Sequence, residues 1–266
     1  ADAMAMILRG EAGPAQVGAF LMLLRVKEET TEELAGFLDA CRPVCREHLA
    51  ALPAVDVDWP SYAGKKKHHP WYLLAARLLA DNGLRILMHG GPAHTPNRRY
   101  SDDMLAELGL TLPASVAEAG EQLDSDGLTY LDLGHFCPAL PELLMMRFQL
   151  GLRSSINTLA RSLNPAAAPL SMQSVFHPAY LELHLGAASA CGDRNLLLFK
   201  GEGGELEIRP DARTALTGLR HGEPADGVLS AAMGRQTPPG EVSVAPLQAL
   251  WRGQADDAYG QAAVIK

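Results

Sequence analysis

The spacing of apolar residues changes partway along the chain, and this change restricts the fold more than any other feature. Residues 1 to about 47 offer helical spacing alone. Met4, Met6, Ile7 and Leu8 begin a helix that Gly10 and Gly13-Pro14 interrupt. Val17, Phe20, Leu21, Leu23 and Leu24 then recur as a helical stripe. Thr30 or Thr31 caps the following helix, with Glu33 near the reciprocal capping-box position; Leu34, Phe37, Leu38 and Cys41 form its apolar face. From Leu84 onward, short apolar runs alternate with helical stretches. Leu84–Met88 ends in His89-Gly90-Gly91. Two short helices follow, one capped by Ser101 and one beginning at Ser115, before the next run at Leu128–Leu133. Further runs lie at Ser171–Phe176 and Leu196–Phe199, with helices over Leu140–Leu150, ended by Gly151, and from His177-Pro178 to Ala190. Such alternation predicts an α/β fold, a mainly parallel central sheet flanked by helices. The chain thus divides into a small all-helical N-terminal domain, 1–47, and an α/β domain, 48–266. After Pro210 the pattern fades. Gly222–Gly240 reads as an exposed loop, and Leu247–Trp251 and Tyr259–Ile265 as helix pieces.

One polar stretch lies between the two patterns. Ser61-Tyr62-Ala63-Gly64-Lys65-Lys66-Lys67-His68-His69-Pro70-Trp71 holds three of the chain's six lysines in a row, ahead of an apolar run from Trp71 to Leu79. Pro70 suits the first position of a helix, where its missing N–H costs nothing. Lys65, Lys66 and Lys67 are therefore expected on an exposed loop feeding a helix N-terminus, an end whose free amides and dipole attract anions. Ligands of parallel sheets sit at the carboxyl ends of the strands. The lysine loop and the loops after Met88, Leu133 and Phe199 should then converge on one cleft.

A net charge of −8 excludes a body coated in positive charge, but a local basic face remains compatible with it. Arginine supplies 17 of the 23 cations. Of the four cysteines, Cys41 and Cys45 lie one helical turn apart, while Cys137 and Cys191 stand alone. With no C-x-x-C pair they argue against zinc, and for reduced thiols in a cytosolic protein. No segment reads as a signal peptide or a membrane span. Ala1-Asp2-Ala3-Met4 opens in mid-pattern and Ala262–Lys266 stops without a cap, so residues are expected beyond both ends.

Several stretches, taken in order, resemble the anthranilate phosphoribosyltransferase family, glycosyl transferase family 3. Gln16-Val17-Gly18-Ala19-Phe20-Leu21 and Lys27-Glu28-Glu29-Thr30 resemble its small helical domain. His89-Gly90 resembles its K-H-G-N turn, and Ser101-Asp102-Asp103-Met104-Leu105-Ala106-Glu107-Leu108-Gly109 its S-A-D-V-L-E-A-L-G. Arg147-x-x-Leu150-Gly151-x-Arg153 with Asn157 resembles R-x-x-L-G-x-R-T-x-x-N, and Asn164-Pro165 the N-P beyond it. The resemblance implies the nucleoside phosphorylase/phosphoribosyltransferase fold and a homodimer. It also implies transfer of a phosphoribosyl group from its pyrophosphate donor to anthranilate, with magnesium.

The residues that carry this chemistry depart from the family's pattern. G-T-G-G-D becomes Tyr62-Ala63-Gly64-Lys65-Lys66, which leaves one glycine for close backbone approach to pyrophosphate. N-x-S-T becomes His69-Pro70-Trp71-Tyr72. The adjacent Asp-Glu that holds metal becomes Glu202-Gly203-Gly204-Glu205-Leu206-Glu207, which reads as a solvated acidic turn; magnesium demands tightly placed oxygens. G-P-L-T becomes Ala160-Arg161-Ser162-Leu163. Glycines and metal carboxylates leave, while Lys65, Lys66, Lys67 and Arg161 arrive. In this the chain resembles a subgroup of the family that has lost the transferase signature and binds nucleic acid without sequence preference, as dimers.

On this reading no residue is catalytic, and no metal or cofactor is expected. The partner is nucleic acid, single-stranded DNA or RNA. The alternative is a phosphoribosyltransferase or related glycosyltransferase using Mg2+ with phosphoribosyl pyrophosphate and an aromatic or base-like acceptor. A third class is a structural dimer whose cleft binds a small anion. Cations that neutralise phosphates release counterions and so hold a polyanion. The candidates are Lys65, Lys66, Lys67, His68, Arg98, Arg99, Arg147, Arg153 and Arg161, with Gly64, His89, Gly90 and Asn157 lining the cleft. Trp71, Tyr72 and Tyr100 lie beside these charges and either stack on bases or pack in the core. Leu21, Leu24, Leu34, Phe37 and Leu38 offer more apolar surface than a few short helices bury alone, so the helical domain is expected to dimerise.

Overall fold

A computed structural model describes all of residues 1–266. Three helices come first: α1 (Asp2–Leu8), α2 (Pro14–Lys27) and α3 (Thr31–His48). Thr30 caps α3. Its hydroxyl accepts from the Glu33 amide at 3.3 Å while the Glu33 carboxylate accepts from the Thr30 amide at 3.0 Å. The chain then alternates: β1 (Val57–Pro60), α4 (Tyr72–Asp81), β2 (Ile86–Gly90), α5 (Ser101–Glu107), α6 (Val116–Asp126) and β3 (Leu128–Asp132). There follow α7 (Leu140–Met145), α8 (Arg147–Leu150), α9 (Ile156–Ser162), β4 (Leu170–Val175), α10 (Tyr180–Ala190) and β5 (Leu196–Lys200). The chain closes with β6 (Thr214–Arg220), β7 (Glu223–Leu229), α11 (Ala245–Trp251) and α12 (Ala258–Ile265).

One sheet runs in the order β3-β2-β1-β4-β5-β6-β7. Strands β1 to β5 pair in parallel, while β6 and β7 add an antiparallel edge. Three strands, β1, β6 and β7, escape the sequence pattern, β1 and β7 for evident physical reasons. β1 carries a carboxylate and a proline at the centre of the sheet. The buried Asp58 is tolerated because His89 Nε2 lies at 2.9 Å and the Ser171 hydroxyl donates to it at 2.7 Å. β7 is an edge strand facing solvent at most positions, so no apolar run marks it where an exposed loop was expected. His221 and Gly222, both at positive φ, close the β6–β7 hairpin with a two-residue turn.

Helix boundaries hold with small shifts. α4 begins at Tyr72, two residues past Pro70. Ser101 is the first residue of α5 and not its cap; its hydroxyl instead meets Ser61 Oγ at 2.6 Å. The stretch 140–150 splits at Met146, and Gly151, at φ 75°, ends it.

Strand alternation sorts side chains into two cores. Leu87 and Leu131 face a core shared with α1, α2, α3, α7 and α9, whereas Ile86, Met88 and Tyr130 face a second core built with α4, α11 and α12. The first core consumes the helical domain's apolar stripe. Leu21, Leu24, Leu34, Phe37 and Leu38 are all buried within one chain, so they are not a free dimer surface; α10, α1 and α9 pack against α3. The exposed large apolar residues of α2 are Leu23 and Val26, at 71% and 82% exposure. Arg42 ties α3 to the α/β domain, pairing with Asp193 at 2.8 Å and donating to the Leu163 carbonyl at 3.0 Å. All four cysteines are free, and no helix is long and apolar enough to cross a membrane.

Candidate functional site

The carboxyl ends of β1 and β5 lie on one edge of the sheet, and the loops that leave them meet there. Lys65 is not on an exposed loop. Its side chain is fully buried between two carboxylates, Glu207, whose Oε1 lies 2.5 Å from Nζ, and Glu202. Burial alone would draw the proton off, but Glu207 and Glu202 outweigh it and hold the ammonium above the ordinary lysine value. One ammonium cannot neutralise two carboxylates, and burial pushes the Glu207 carboxyl up. The other Glu207 oxygen accepts from the Tyr72 amide, the N-terminal amide of α4, at 3.1 Å.

Glu205 sits deeper in the same loop. One of its oxygens accepts from the Ala63 amide at 2.7 Å and from the Gly64 amide; the other accepts from the Ser61 hydroxyl at 2.7 Å. Burial pushes this carboxyl up, against the pull of those donors. Gly64 takes φ 70°, and a Cβ there would stand 3.0 Å from the Arg99 carbonyl, so the loop keeps its one glycine for shape. Gly203 and Gly204, also at positive φ, turn the segment inward. The 202–207 stretch is therefore a buried plug and not a solvated turn. Its carboxylates occupy two loop amides and a helix N-terminus, the groups that otherwise bind phosphate oxygens. Magnesium does not fit these residues. Each carboxylate is already committed to Lys65 or to backbone amides, and no group of three or more metal-ligating side chains exists.

Other predicted residues are also placed away from solvent. His68 is buried and stacks on Tyr259 at 5.8 Å, and burial favours its neutral ring. Trp71, Tyr72 and Tyr100 are buried, so they pack in the core and offer no stacking platform. His89 lies under the loop, not in the cleft wall: Nε2 faces Asp58, and Nδ1 meets the Tyr62 hydroxyl at 2.8 Å. Gly90 is equally buried, with the Tyr130 hydroxyl and the Ser61 carbonyl closing on the place of its missing side chain. Arg99 pairs with Glu107 and donates to the Val242 carbonyl at 3.3 Å. Lys66 and Lys67 remain exposed.

The remaining arginines behave differently. Arg98 donates to three carbonyls, those of Ala63, Gly64 and Gly203, at 3.1, 2.8 and 2.8 Å. Arg147 donates to the His94 carbonyl, and Arg147 and Arg153 share the Thr95 hydroxyl at 3.0 and 2.7 Å. None of these partners carries charge. Arg161 forms no hydrogen bond and no ion pair; burial, and behind it the charge of Arg98, weaken its hold on its proton against a distant pull from Glu205. Burial and then Arg161, Arg147 and Arg98 do the same to Arg153.

Arg153, Arg161 and Asn157 line a pocket of about 180 Å³ between the helical domain and the α/β domain. Arg25 of α2 reaches across it to the Tyr180 hydroxyl at 3.0 Å. Two neighbouring histidines stay neutral. Burial, with the nearby arginines, takes His94 down to about 4 and His184 to about 3. Arg25, Tyr180 and Phe176 carry no signal in the sequence, since α2 and the start of α10 lie 155 residues apart. A larger cavity of about 470 Å³ lies between α4, α5 and α11; its lining is mostly apolar, and the arginine cluster and the plug are both elsewhere.

Comparison with known proteins agrees with this architecture. A family model described as glycosyl transferase family, helical bundle domain, matches residues 1–45. Over 225 residues the chain is 31% identical to an anthranilate phosphoribosyltransferase of Chromobacterium violaceum, an alignment covering 83% of this chain and 64% of that protein. Over 213 residues it is 32% identical to the uncharacterized protein YbiB of Escherichia coli, covering 77% of this chain and 65% of that one. The chain thus spans about two thirds of the length of these curated relatives, 64% and 65%. The structure matches that of anthranilate phosphoribosyltransferase from Thermus thermophilus with a TM-score of 0.75 at 24% identity, covering 99% of this chain and 80% of that one.

Proposed function

The chain belongs to the glycosyl transferase family of the anthranilate phosphoribosyltransferases, and from that premise we propose a non-catalytic member that holds single-stranded nucleic acid along its arginine cleft. The observation that carries the reading is the position of Glu205 and Glu207. A pyrophosphate donor needs the amides that these carboxylates occupy, and two fixed anions there would oppose the charge of a departing pyrophosphate. Beside the plug, Arg98, Arg147, Arg153 and Arg161 keep their charge free of carboxylate partners. Guanidinium forks match phosphate oxygens in pairs, so these groups suit a phosphate chain. Lys66 and Lys67 extend the track on the exposed side. The affinity should therefore rest on the arginines, with Lys65 acting as a structural cation. A salt titration of binding to a labelled single strand tests this. Affinity should fall steeply, with a log–log slope of roughly −0.7 per phosphate contacted. Affinity indifferent to salt would overturn the reading.

A second reading is phosphoribosyl transfer, favoured by the names of the relatives and by Arg153 and Asn157 lining the pocket as they stand in the family-like motif. It predicts that phosphoribosyl pyrophosphate with magnesium raises the melting temperature, since a ligand of the native state stabilises it. The first reading predicts no magnesium-dependent rise and no product.

We also propose a homodimer, now through Leu23 and Val26 on α2, the apolar groups its own core leaves uncovered. Light scattering at micromolar concentration distinguishes dimer from monomer.

A further inference from the structure

The pocket between the two domains is over-supplied with positive charge, and its size limits what can relieve this. Three guanidiniums, Arg25, Arg153 and Arg161, line it against one carboxylate, Glu29. Glu29 accepts from the Thr158 hydroxyl at 3.1 Å and pairs with none of the three. Glu205 pulls on Arg161 only from beyond ion-pair distance, and its oxygens are already turned to Ala63, Gly64 and Ser61. His184, taken down to about 3, adds no charge near neutrality. Two positive charges thus remain on the lining, one of them on a guanidinium with no partner at all. Arg161 is half-buried, and a partly desolvated cation without a partner gains from a ligand that supplies the anion.

We infer that this pocket seats a terminal phosphate monoester of a nucleic-acid strand, with Arg161 as its anchoring cation. This rests on the nucleic-acid reading above and names the part of the strand that the pocket takes. Charge decides between kinds of phosphate. A monoester carries about −1.5 to −2 near neutrality, with its second ionisation near pH 6, and matches two surplus charges. A diester inside a strand carries only one. Size decides between a whole small molecule and the end of a long one. The cavity volume is about 180 Å³. That is below the ~300 Å³ at which pockets begin to enclose a drug-sized ligand. The rest of the strand must then lie outside, and the neighbouring surface is shaped for it. Phe176, 45% exposed, lines the pocket and offers a ring to the adjoining base. It also touches Gly204, which abuts Ala63, so the path from the pocket leads over the plug to Arg98 and the exposed lysines.

The test is fluorescence anisotropy on short labelled oligothymidylates phosphorylated at one end, at the other, or at neither. The parent protein should bind one phosphorylated form about tenfold or more tightly than the unphosphorylated strand, as charge-assisted hydrogen bonds warrant. Arg161→Gln should erase that preference. Arg161→Lys, which keeps the charge without the fork, should retain part of it and serves equally if the first variant does not fold. Phe176→Ala should weaken binding by about fivefold or more through lost stacking. Equal affinity of the parent for all three strands overturns this inference and leaves the nucleic-acid reading standing. Absence of binding to any strand at low salt overturns both.

Discussion

The plugged loop and the arginine pocket lie side by side at one edge of the sheet, yet they treat charge in opposite ways. In the loop, one buried ammonium and three glutamates satisfy each other and the surrounding amides. In the pocket, three guanidiniums face one carboxylate, Glu29, that pairs with none of them, and they repel one another. The loop's amides and ammonium are met by the chain's own carboxylates, whereas the pocket's guanidiniums are not. A basic residue in the sequence is therefore no measure of binding until its partner is known.

The largest expected effect breaks the comparison if it fails. Lys65→Ala strands Glu202 and Glu207 in the interior and should cost about 3–5 kcal/mol. At about 2–4 °C per kcal/mol for a chain of this size, calorimetry should record a fall of many degrees. Arg161→Gln, which removes an unpartnered cation, should leave the melting temperature unchanged or raise it. If the two variants fall alike, the regions do not differ as described.

Glu205→Ala leaves the Ala63 and Gly64 amides without an acceptor and should cost about 1–3 kcal/mol per orphaned group. It also reopens the cradle. On an Arg161→Gln background, which silences the pocket, inorganic pyrophosphate should restore part of the lost melting temperature when Glu205 is absent and little when it is present. An equal response in both backgrounds would show that Glu205 does not fill an anion site.

The two regions should also respond to pH with opposite signs. His94 and His184 keep folded values of about 4 and about 3, below the ordinary 6.5. Between those limits the unfolded chain binds protons that the folded chain refuses. Their contribution to stability is present above pH 6.5 and is lost as pH falls through the folded values. Glu205 and Glu207 are raised, so the folded chain holds the extra proton between the ordinary carboxylate value and the raised one. Falling pH gains stability in that window. Melting curves across pH should show a shallower acid loss for His184→Gln, and a smaller gain on acidification for Glu205→Gln.

The smallest effect belongs to the exposed lysines. Lys66→Ala with Lys67→Ala should shift stability by about 0.5 kcal/mol or less. Log affinity plotted against log salt should flatten by roughly 0.7 for each single-strand phosphate that the variant no longer neutralises. A drop in affinity as large as that from Arg161→Gln would return the site to the lysine loop.

By itself the sequence determined what local spacing determines. The helix-only start and the later alternation specified an α/β sheet behind a helical domain, and Thr30-Thr31 with Glu33 marked a helix start to within one residue. The order of short motifs pointed to the family. β7 stayed hidden because an edge strand needs no apolar run, and β1 because its carboxylate is bonded only by residues from distant strands. The candidate site was legible as a place, the lysine loop beside the acidic segment, but not as a state. Lys65, Lys66 and Lys67 are alike in sequence; one is sealed between glutamates some 140 positions away, and two face water. Arg161 is defined by the absence of any carboxylate within pairing distance, Glu205 acting on it only from farther off. Periodicity is a property of neighbours in the chain, whereas desolvation and pairing depend on groups brought together from its far ends, so only the tertiary structure decided which charges were paired and which were left unpaired.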